Sequence, residues 1–358
     1  MKDRMVCGNM AQQAATSPPG VKSGARPGVA SASQRRPAIR QTYGALDLGT
    51  NNCRLLIARP DDGGFTVVDA FSRIVRLGEG LGVSGRLSDA AMDRAVAALA
   101  ICSDKLRRRN VTMARSVATE ACRRAANGFE FTERVRRETG VALEIIPPKE
   151  EARLAVLGCH KLLEPGGGPA LIFDIGGGST ELVLVDHRQD TPQIIAWWSA
   201  PWGVVSLTET EGRAAIEGPD RLAAYGRMRE RARRSFHRFV DMLPKDPVDI
   251  RLLGTSGTVT TLASVHLALP SYDRRAVDGL KVPVPDMRRI SSMIAELDLG
   301  GRSALPCIGA ERADMVVAGC AILEAILDIW PAEHLGIADR GIREGILRSL
   351  MARDGHVL

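Results

Sequence analysis

Residues 170–185 read ALIFDIGGGSTELVLV. A short apolar run from Leu171 to Asp174 enters a glycine turn, Gly176-Gly177-Gly178, and a second run, Glu181 to Val185, leaves it. Apolar runs this short, bounded by glycine, predict buried strands rather than a helix. Glycines allow a backbone to close on a ligand with its N–H groups turned inward. Ser179 and Thr180 add hydroxyl donors, and Asp174 stands at the strand's end, where it can hold a cation or position water. An anion-binding turn beside a carboxylate is what a phosphate–Mg²⁺ site requires.

The same pattern occurs once before. Ala45-Leu46-Asp47-Leu48-Gly49-Thr50-Asn51-Asn52 is followed by Cys53-Arg54-Leu55-Leu56-Ile57-Ala58. Laying Asp47 on Asp174 puts Gly49 on Gly176 and Leu55–Ala58 on Leu182–Val185. A repeat separated by more than a hundred residues is no solenoid unit. It predicts two related domains, each presenting an Asp-tipped hairpin to a shared cleft.

A chain of 358 residues is long enough for two such domains. Its 45% hydrophobic and 25% charged content is that of an ordinary soluble globular protein. Aromatic residues make up only 4%, which argues against stacking platforms for bases. The net charge of +6 comes entirely from residues 1–41, where Lys2, Arg4, Lys22, Arg26, Arg35, Arg36 and Arg40 oppose Asp3 alone. The remainder is neutral, so no specific nucleic-acid partner is expected. Seven scattered cysteines without a CxxC fit reduced thiols and a cytoplasmic setting. No apolar run reaches the ~18 residues of a membrane span, and no membrane association is expected.

Residues 1–41, rich in Pro, Gly and Ser, read as a disordered basic tail. From residue 42 strands and helices alternate, which implies α/β domains. The expected division is 42–157 and 158–358, with a hinge near Gly158–Gly168. Ser88 is placed to cap a helix running to Arg108, with Met92, Val96, Leu99, Cys102 and Leu106 on one face. Pro147-Pro148 precedes a helix that begins Lys149-Glu150-Glu151-Ala152-Arg153. Arg221–Arg238 carries seven arginines and one acid, Val248–Leu253 is a strand, Pro270–Pro285 an irregular loop, and Glu311–Ile329 a helix. The six histidines have no metal-ligand spacing.

Six segments together resemble the exopolyphosphatase/guanosine-pentaphosphate phosphatase (Ppx/GppA) family, within the actin/hexokinase/Hsp70 superfamily. Asp47–Leu55 resembles its D-L-G-S-N-S-x-R-L, and Ala118–Arg123 its A-T-x-x-x-R. Glu150–Leu154 matches E-E-A-R-L, and Asp174–Leu182 matches D-I-G-G-G-S-T-E-L. Leu253–Thr258 resembles L-G-T-S-G-T, and Asp339–Gly345 resembles D-R-G-x-R-E-G. The likeness runs from about residue 43 to 350. Thr50 and Asn52 depart from the family's Ser at those positions, though both stay polar. No His-Asp pair of the longer members' extra region occurs, so the resemblance is to the short, two-domain form.

The resemblance implies two ribonuclease-H-like (actin-like ATPase) α/β domains around a central cleft. It implies a Mg²⁺-dependent phosphohydrolase releasing terminal phosphate from inorganic polyphosphate or guanosine pentaphosphate, with homodimer formation left open. Cleaving a phosphoanhydride requires charge neutralisation and a positioned water. Glu151 matches the residue that activates water in the family. The loops Gly49–Asn52 and Gly176–Ser179, with Thr180, are candidates to cradle phosphate, and Asp47 and Asp174 to hold Mg²⁺. Arg54 and Arg123 are candidate phosphate clamps. Gly254-Thr255-Ser256-Gly257-Thr258 reads either as a plain loop or as a further phosphate or nucleotide contact. The arginines of 221–238 read as a solvated face, or as a guide for a long polyanion. Trp197, Trp198, Trp202 and Cys53 read as packed. The competing readings are an ATP-dependent kinase or ATPase of the superfamily and an actin-like scaffold.

Overall fold

Residues 43–74 form an antiparallel meander of β1 (Tyr43–Leu48), β2 (Asn52–Asp61) and β3 (Gly64–Ile74), and β4 (Met113–Ala118) and β5 (Glu144–Ile145) add to it in parallel. The five lie in the order β3-β2-β1-β4-β5. This is a computed structural model, and it describes residues 41–163, 168–188, 192–243 and 250–356. The basic tail up to residue 40 and part of the glycine-rich joint after Leu163 lie outside the described residues.

A second meander follows, built of β6 (Ala170–Ile175), β7 (Thr180–Asp186) and β8 (Gln193–Ala200). It is extended by β9 (Arg251–Thr255), β10 (Lys281–Pro283) and β11 (His334–Ala338), in the order β10-β11-β9-β6-β7-β8. With β10 set aside as an antiparallel edge, this is the topology of the first sheet again. The repeat extends to detail. The β2–β3 register shifts at Ile57/Ala58, and the β7–β8 register shifts at the matching Leu184/Val185. The expected pair of ribonuclease-H-like α/β lobes is the fold.

Strand alternation decides which side each residue serves. Leu46, Leu48, Leu55 and Ile57 enter one core with the helix Asp89–Arg108, which Ser88 caps as expected by accepting from Ala91 N. Tyr43, Ala45, Leu56 and Ala58 enter a core on the other face. By the same parity Asp47 and Arg54 point to that second face. In the second lobe Leu171, Phe173, Leu182 and Leu184 pack into the large core around the helix Val316–Ile329, while Ala170, Ile172, Val183 and Val185 face the other way. Asp174 and Glu181 share that other face.

Two helices occupy the space between the inner faces, and the lobes exchange them. Helix Ile342–Arg353 packs Ile346, Leu347, Leu350 and Met351 on the first sheet, although it follows the last strand of the second. Helix Pro148–Cys159 sends Leu154 and Ala155 to the first sheet and Ala152, Val156 and Cys159 to the second. The two helices touch backbone to backbone. A Cβ on Gly158 would lie 2.0 Å from Gly341 O, and one on Gly345 would lie 2.0 Å from Leu154 O.

Some sequence expectations need correcting. Val316, not Glu311, begins the helix that ends at Ile329. The preceding turn is held open because the fully buried Arg302 donates to Ala313 O (2.9 Å) and Asp314 pairs with Arg76 and Arg213 (3.2 and 2.7 Å). The loop 270–285 contains a short helix, Arg274–Val277, and β10. The strand expected from Val248 is described from Arg251 on. Trp197, Trp198, Trp202 and Cys53 pack against cores. Among the described residues no helix is long and apolar enough to cross a membrane.

Candidate active site

Both hairpins close with the same bond: Gly49 N donates to Asn52 O and Gly176 N to Ser179 O, each at 2.9 Å. The tip amides of Thr50, Asn51, Gly177 and Gly178 donate to no described residue, so they remain available to an anion. The tips touch each other across the lobes. A Cβ on Gly177 would come within 2.9 Å of Thr50 Cβ, and one on Gly178 within 2.8 Å of Thr50 Oγ1. The glycine triplet therefore makes room for the opposite tip as well as for a ligand.

Asp47 and Asp174 both line one cleft, as do Gly49 to Asn52, Arg54, Gly176 to Ser179, and Ser256 to Thr258. Glu151 enters from the first turn of its helix, where the dipole favours a carboxylate. It is buried, and its Oε2 accepts from Arg123 Nη1 at 3.0 Å. Burial raises the Glu151 pKa well above the ordinary carboxylate range, and the Glu181 charge adds to the effect. Burial likewise pushes Asp174 up to about 8, with Glu181 and Asp47 contributing. Asp47 is raised by burial against the opposing pull of Arg54 and Arg343. Glu150 turns outward to Arg115 and Arg153 (2.7 Å each) and is lowered by them.

Four expected binding residues sit outside this cleft. Arg123 does not line the cleft. Its guanidinium donates to Glu120 (2.6 Å), Glu151 (3.0 Å) and Ile146 O (2.7 Å), which hold it against the acid. Thr180 begins β7 with its side chain turned away, and its hydroxyl donates to Trp202 O at 2.7 Å. Gly254 lies inside the lobe, where a Cβ would meet Phe173 at 2.7 Å. Thr255 lines a neighbouring cavity and donates to Arg340 O at 2.7 Å. Ser256 caps its helix by accepting from Val259 N.

Further charged residues that line the cleft or the cavity beside it carry no expectation from the sequence. Glu181, fully buried across from Asp174, accepts from Ser179 Oγ (2.7 Å) and Ser199 Oγ (2.9 Å). An acid at the head of an all-apolar strand was the signal. Glu120 lines the cleft within the recognised A-T-x-x-x-R segment. Arg312 comes from the turn before Val316, which has no motif. Arg343 falls in the D-R-G-x-R-E-G segment and lines the neighbouring cavity.

For Mg²⁺ the donor chemistry fits. Asp47 Oδ1 is buried without a hydrogen-bond partner among the described residues, and Asp174 lies beside it in the cleft. Hard carboxylate oxygens suit Mg²⁺, which keeps several waters and needs only one or two protein carboxylates alongside substrate phosphates. Accordingly no cluster of three or more metal-ligating side chains exists among the described residues.

Two actin-like lobes closing free tip amides and buried carboxylates on a common cleft define a phosphate-handling protein of the actin/hexokinase class. A model of the Ppx/GppA phosphatase family matches residues 56–354, and the chain belongs to that family. It is 31% identical to Exopolyphosphatase 2 of Mycobacterium tuberculosis, over 86% of this chain and 97% of that protein. It is 29% identical to the guanosine-5'-triphosphate,3'-diphosphate pyrophosphatase of Aeromonas hydrophila, over 87% of this chain but only 60% of that longer protein. The crystal structure of the Aquifex aeolicus Ppx/GppA family member superposes with a TM-score of 0.73 at 30% identity, covering 88% of this chain and 99% of that one.

Proposed function

We propose that this chain is a Mg²⁺-dependent phosphohydrolase that removes the terminal phosphate of inorganic polyphosphate or of guanosine pentaphosphate. The observation that carries the reading is Glu151: a buried carboxylate oriented by Arg123, in the same cleft as two sets of free loop amides. Its raised pKa makes it a competent proton acceptor.

In the proposed reaction the tip amides of Gly49–Asn52 and Gly176–Ser179 bind the terminal phosphate oxygens. Glu151 takes a proton from a water as that water's oxygen forms a bond to the terminal phosphorus. The bridging P–O bond breaks on the opposite side, and its electrons stay on the shortened chain. Orthophosphate leaves, and the proton on Glu151 returns to solvent. Asp47 and Asp174 would hold Mg²⁺, which when bound supplies charge neutralisation for the phosphate oxygens.

The test is phosphate release from polyphosphate and from guanosine pentaphosphate, with Glu151→Gln beside the wild type. A loss of kcat of at least ~100-fold is expected for general-base removal. Wild-type turnover in the variant would remove Glu151 from the role, and no release from either substrate by the wild type would refute the reading.

A further inference from the structure

The carbonyls of the second tip are taken from behind. Helix Val204–Glu211 starts beneath the glycine triplet, and its first-turn N–H groups have no acceptor within their own helix. They donate to the tip instead. Val204 N reaches Gly176 O at 3.0 Å, Val205 N reaches Gly177 O at 2.8 Å, and Ser206 N reaches Gly177 O at 3.3 Å. The Ser206 hydroxyl adds Gly178 O at 3.3 Å. A trans peptide sets the C=O of one residue and the N–H of the next on opposite sides. Three carbonyls drawn to one helix therefore turn the N–H groups of Gly177, Gly178 and Ser179 the other way, toward the cleft these residues line.

Helix and tip meet backbone to backbone. Gly203 precedes the helix in ordinary extended backbone (φ −130°), so conformational freedom is not why a glycine stands there. A Cβ on it would lie 2.4 Å from the Gly177 carbonyl carbon and 2.6 Å from Gly176 O. The Ser206 hydroxyl then closes the arrangement. It accepts from Gly203 N at 2.9 Å and has a single proton to give. Gly203 O is also 3.3 Å away, but it already accepts from Leu207 N at 3.0 Å. Gly178 O accepts from no other described residue, so the proton is needed there.

The first tip is held in the same way by backbone alone. Thr50 O accepts from Gly78 N (2.9 Å), and Asn51 O accepts from Val75 N (2.8 Å) and Arg76 N (3.0 Å). These donors follow β3, as helix Val204–Glu211 follows β8. Among the described residues Ser206 is the one side chain that fastens a carbonyl of either tip.

We propose that Ser206 is a positioning residue of the reaction, holding the amides of the second tip in the orientation that meets the charge developing on the transferred phosphate. The inference rests on the phosphohydrolase reading and adds to that site a residue that does not line the cleft. Donors fixed in advance need no reorganisation as charge develops, so what Ser206 supplies should appear in turnover more than in substrate binding.

The test reads the tip directly. In the full chain labelled with 15N-glycine, backbone order parameters at Gly177 and Gly178 should stand near ~0.85 and fall below ~0.6 in Ser206→Ala. Ser206→Thr keeps the hydroxyl and should restore them. Thr210→Ala removes a hydroxyl of the same helix that donates to Ser206 O and not to the tip, and should leave them unchanged. In phosphate-release assays Ser206→Ala should lower kcat about tenfold with KM within about threefold, and Ser206→Thr should recover most of the loss. Unchanged order and unchanged kcat in Ser206→Ala overturn the proposal, as does loosening of the tip in an active enzyme whose kcat does not fall. A loss that Ser206→Thr does not restore, or that Thr210→Ala matches, overturns it too, because it reports a weakened helix. If the wild type releases no phosphate from either substrate, the hydrolase reading falls, while loosened glycine amides in Ser206→Ala still assign Ser206 to the tip.

Discussion

The two hairpins share a backbone and differ in the residue opposite the aspartate. Asp47 pairs in register with Arg54, whereas Asp174 pairs with Glu181. The first carboxylate is therefore drawn toward its ionised form by a neighbouring cation, and the second is pushed toward its neutral form by a neighbouring acid. The repeat gives the cleft its symmetry, and one residue per hairpin breaks it. Arg54 lines both cavities of the cleft, whereas Glu181 lines only the one that holds Glu151.

The most severe way to break the comparison is Asp174→Asn. Phosphate release should fall by ~10³-fold or more, because a charged oxygen in the proposed cation site is lost. The same variant should be more stable than the wild type when metal is chelated. Asp174 titrates near 3.8 in the unfolded chain and at about 8 in the fold. Its contribution to stability is thus fully present below about pH 4 and is lost as pH rises through about 8. Asp47, Glu151 and Glu181 are shifted in the same direction. Urea melts of the chelated wild type should weaken by a few kcal/mol from about pH 5 to about pH 9, and Asp174→Asn should flatten that slope. A slope unchanged by the substitution would place the stored cost elsewhere.

Arg54→Gln tests the other side of the comparison. Steady-state kinetics should show kcat/KM down by ~10–100-fold, mostly through KM. Losing the cation should also move the Asp47 pKa upward, displacing the acid limb of the pH–rate profile to higher pH. The smallest expected effect distinguishes adjacent residues of the second tip. Ser179→Ala removes one of the two hydroxyls that donate to Glu181 Oε1, leaving Ser199, and should lower kcat by roughly tenfold. Thr180→Val, whose hydroxyl serves only Trp202 O, should cost a turnover assay less than about threefold. Equal losses at both positions would mean that the tip responds as a whole to any change.

Much of this was legible in the sequence because it is local. Asp-x-Gly between two apolar runs forces a strand–turn–strand, and its recurrence gave the second lobe. Glu151 could be found because a first-turn acid in E-E-A-R-L has a recognisable context. Arg123 is expected from its motif as a phosphate clamp, and the structure pairs it with carboxylates. A motif tells that a guanidinium is required, but of its partners only Glu120 lies on its own helix, while Glu151 and Ile146 O come from a distant stretch. Thr180 shows the parity rule at work: one step along a strand reverses a side chain, so neighbours of a true site residue face the wrong way. Arg312 was out of reach, since its turn is held by a buried arginine and by ion pairs to Arg76 and Arg213, which local propensity does not record.

The exchanged helices bear on how the protein is made. The first sheet is completed by Ile346, Leu347, Leu350 and Met351, which the ribosome adds after every strand of both lobes. Until they emerge, the inner face formed by Tyr43, Ala45, Leu56 and Ala58 has only Leu154 and Ala155 of helix Pro148–Cys159 to cover part of it. Chains of this size ordinarily fold domain by domain from the N-terminus. Here the first lobe cannot finish before the strands of the second have been made, so a nascent chain should carry an exposed apolar face that chaperones can bind until helix Ile342–Arg353 docks.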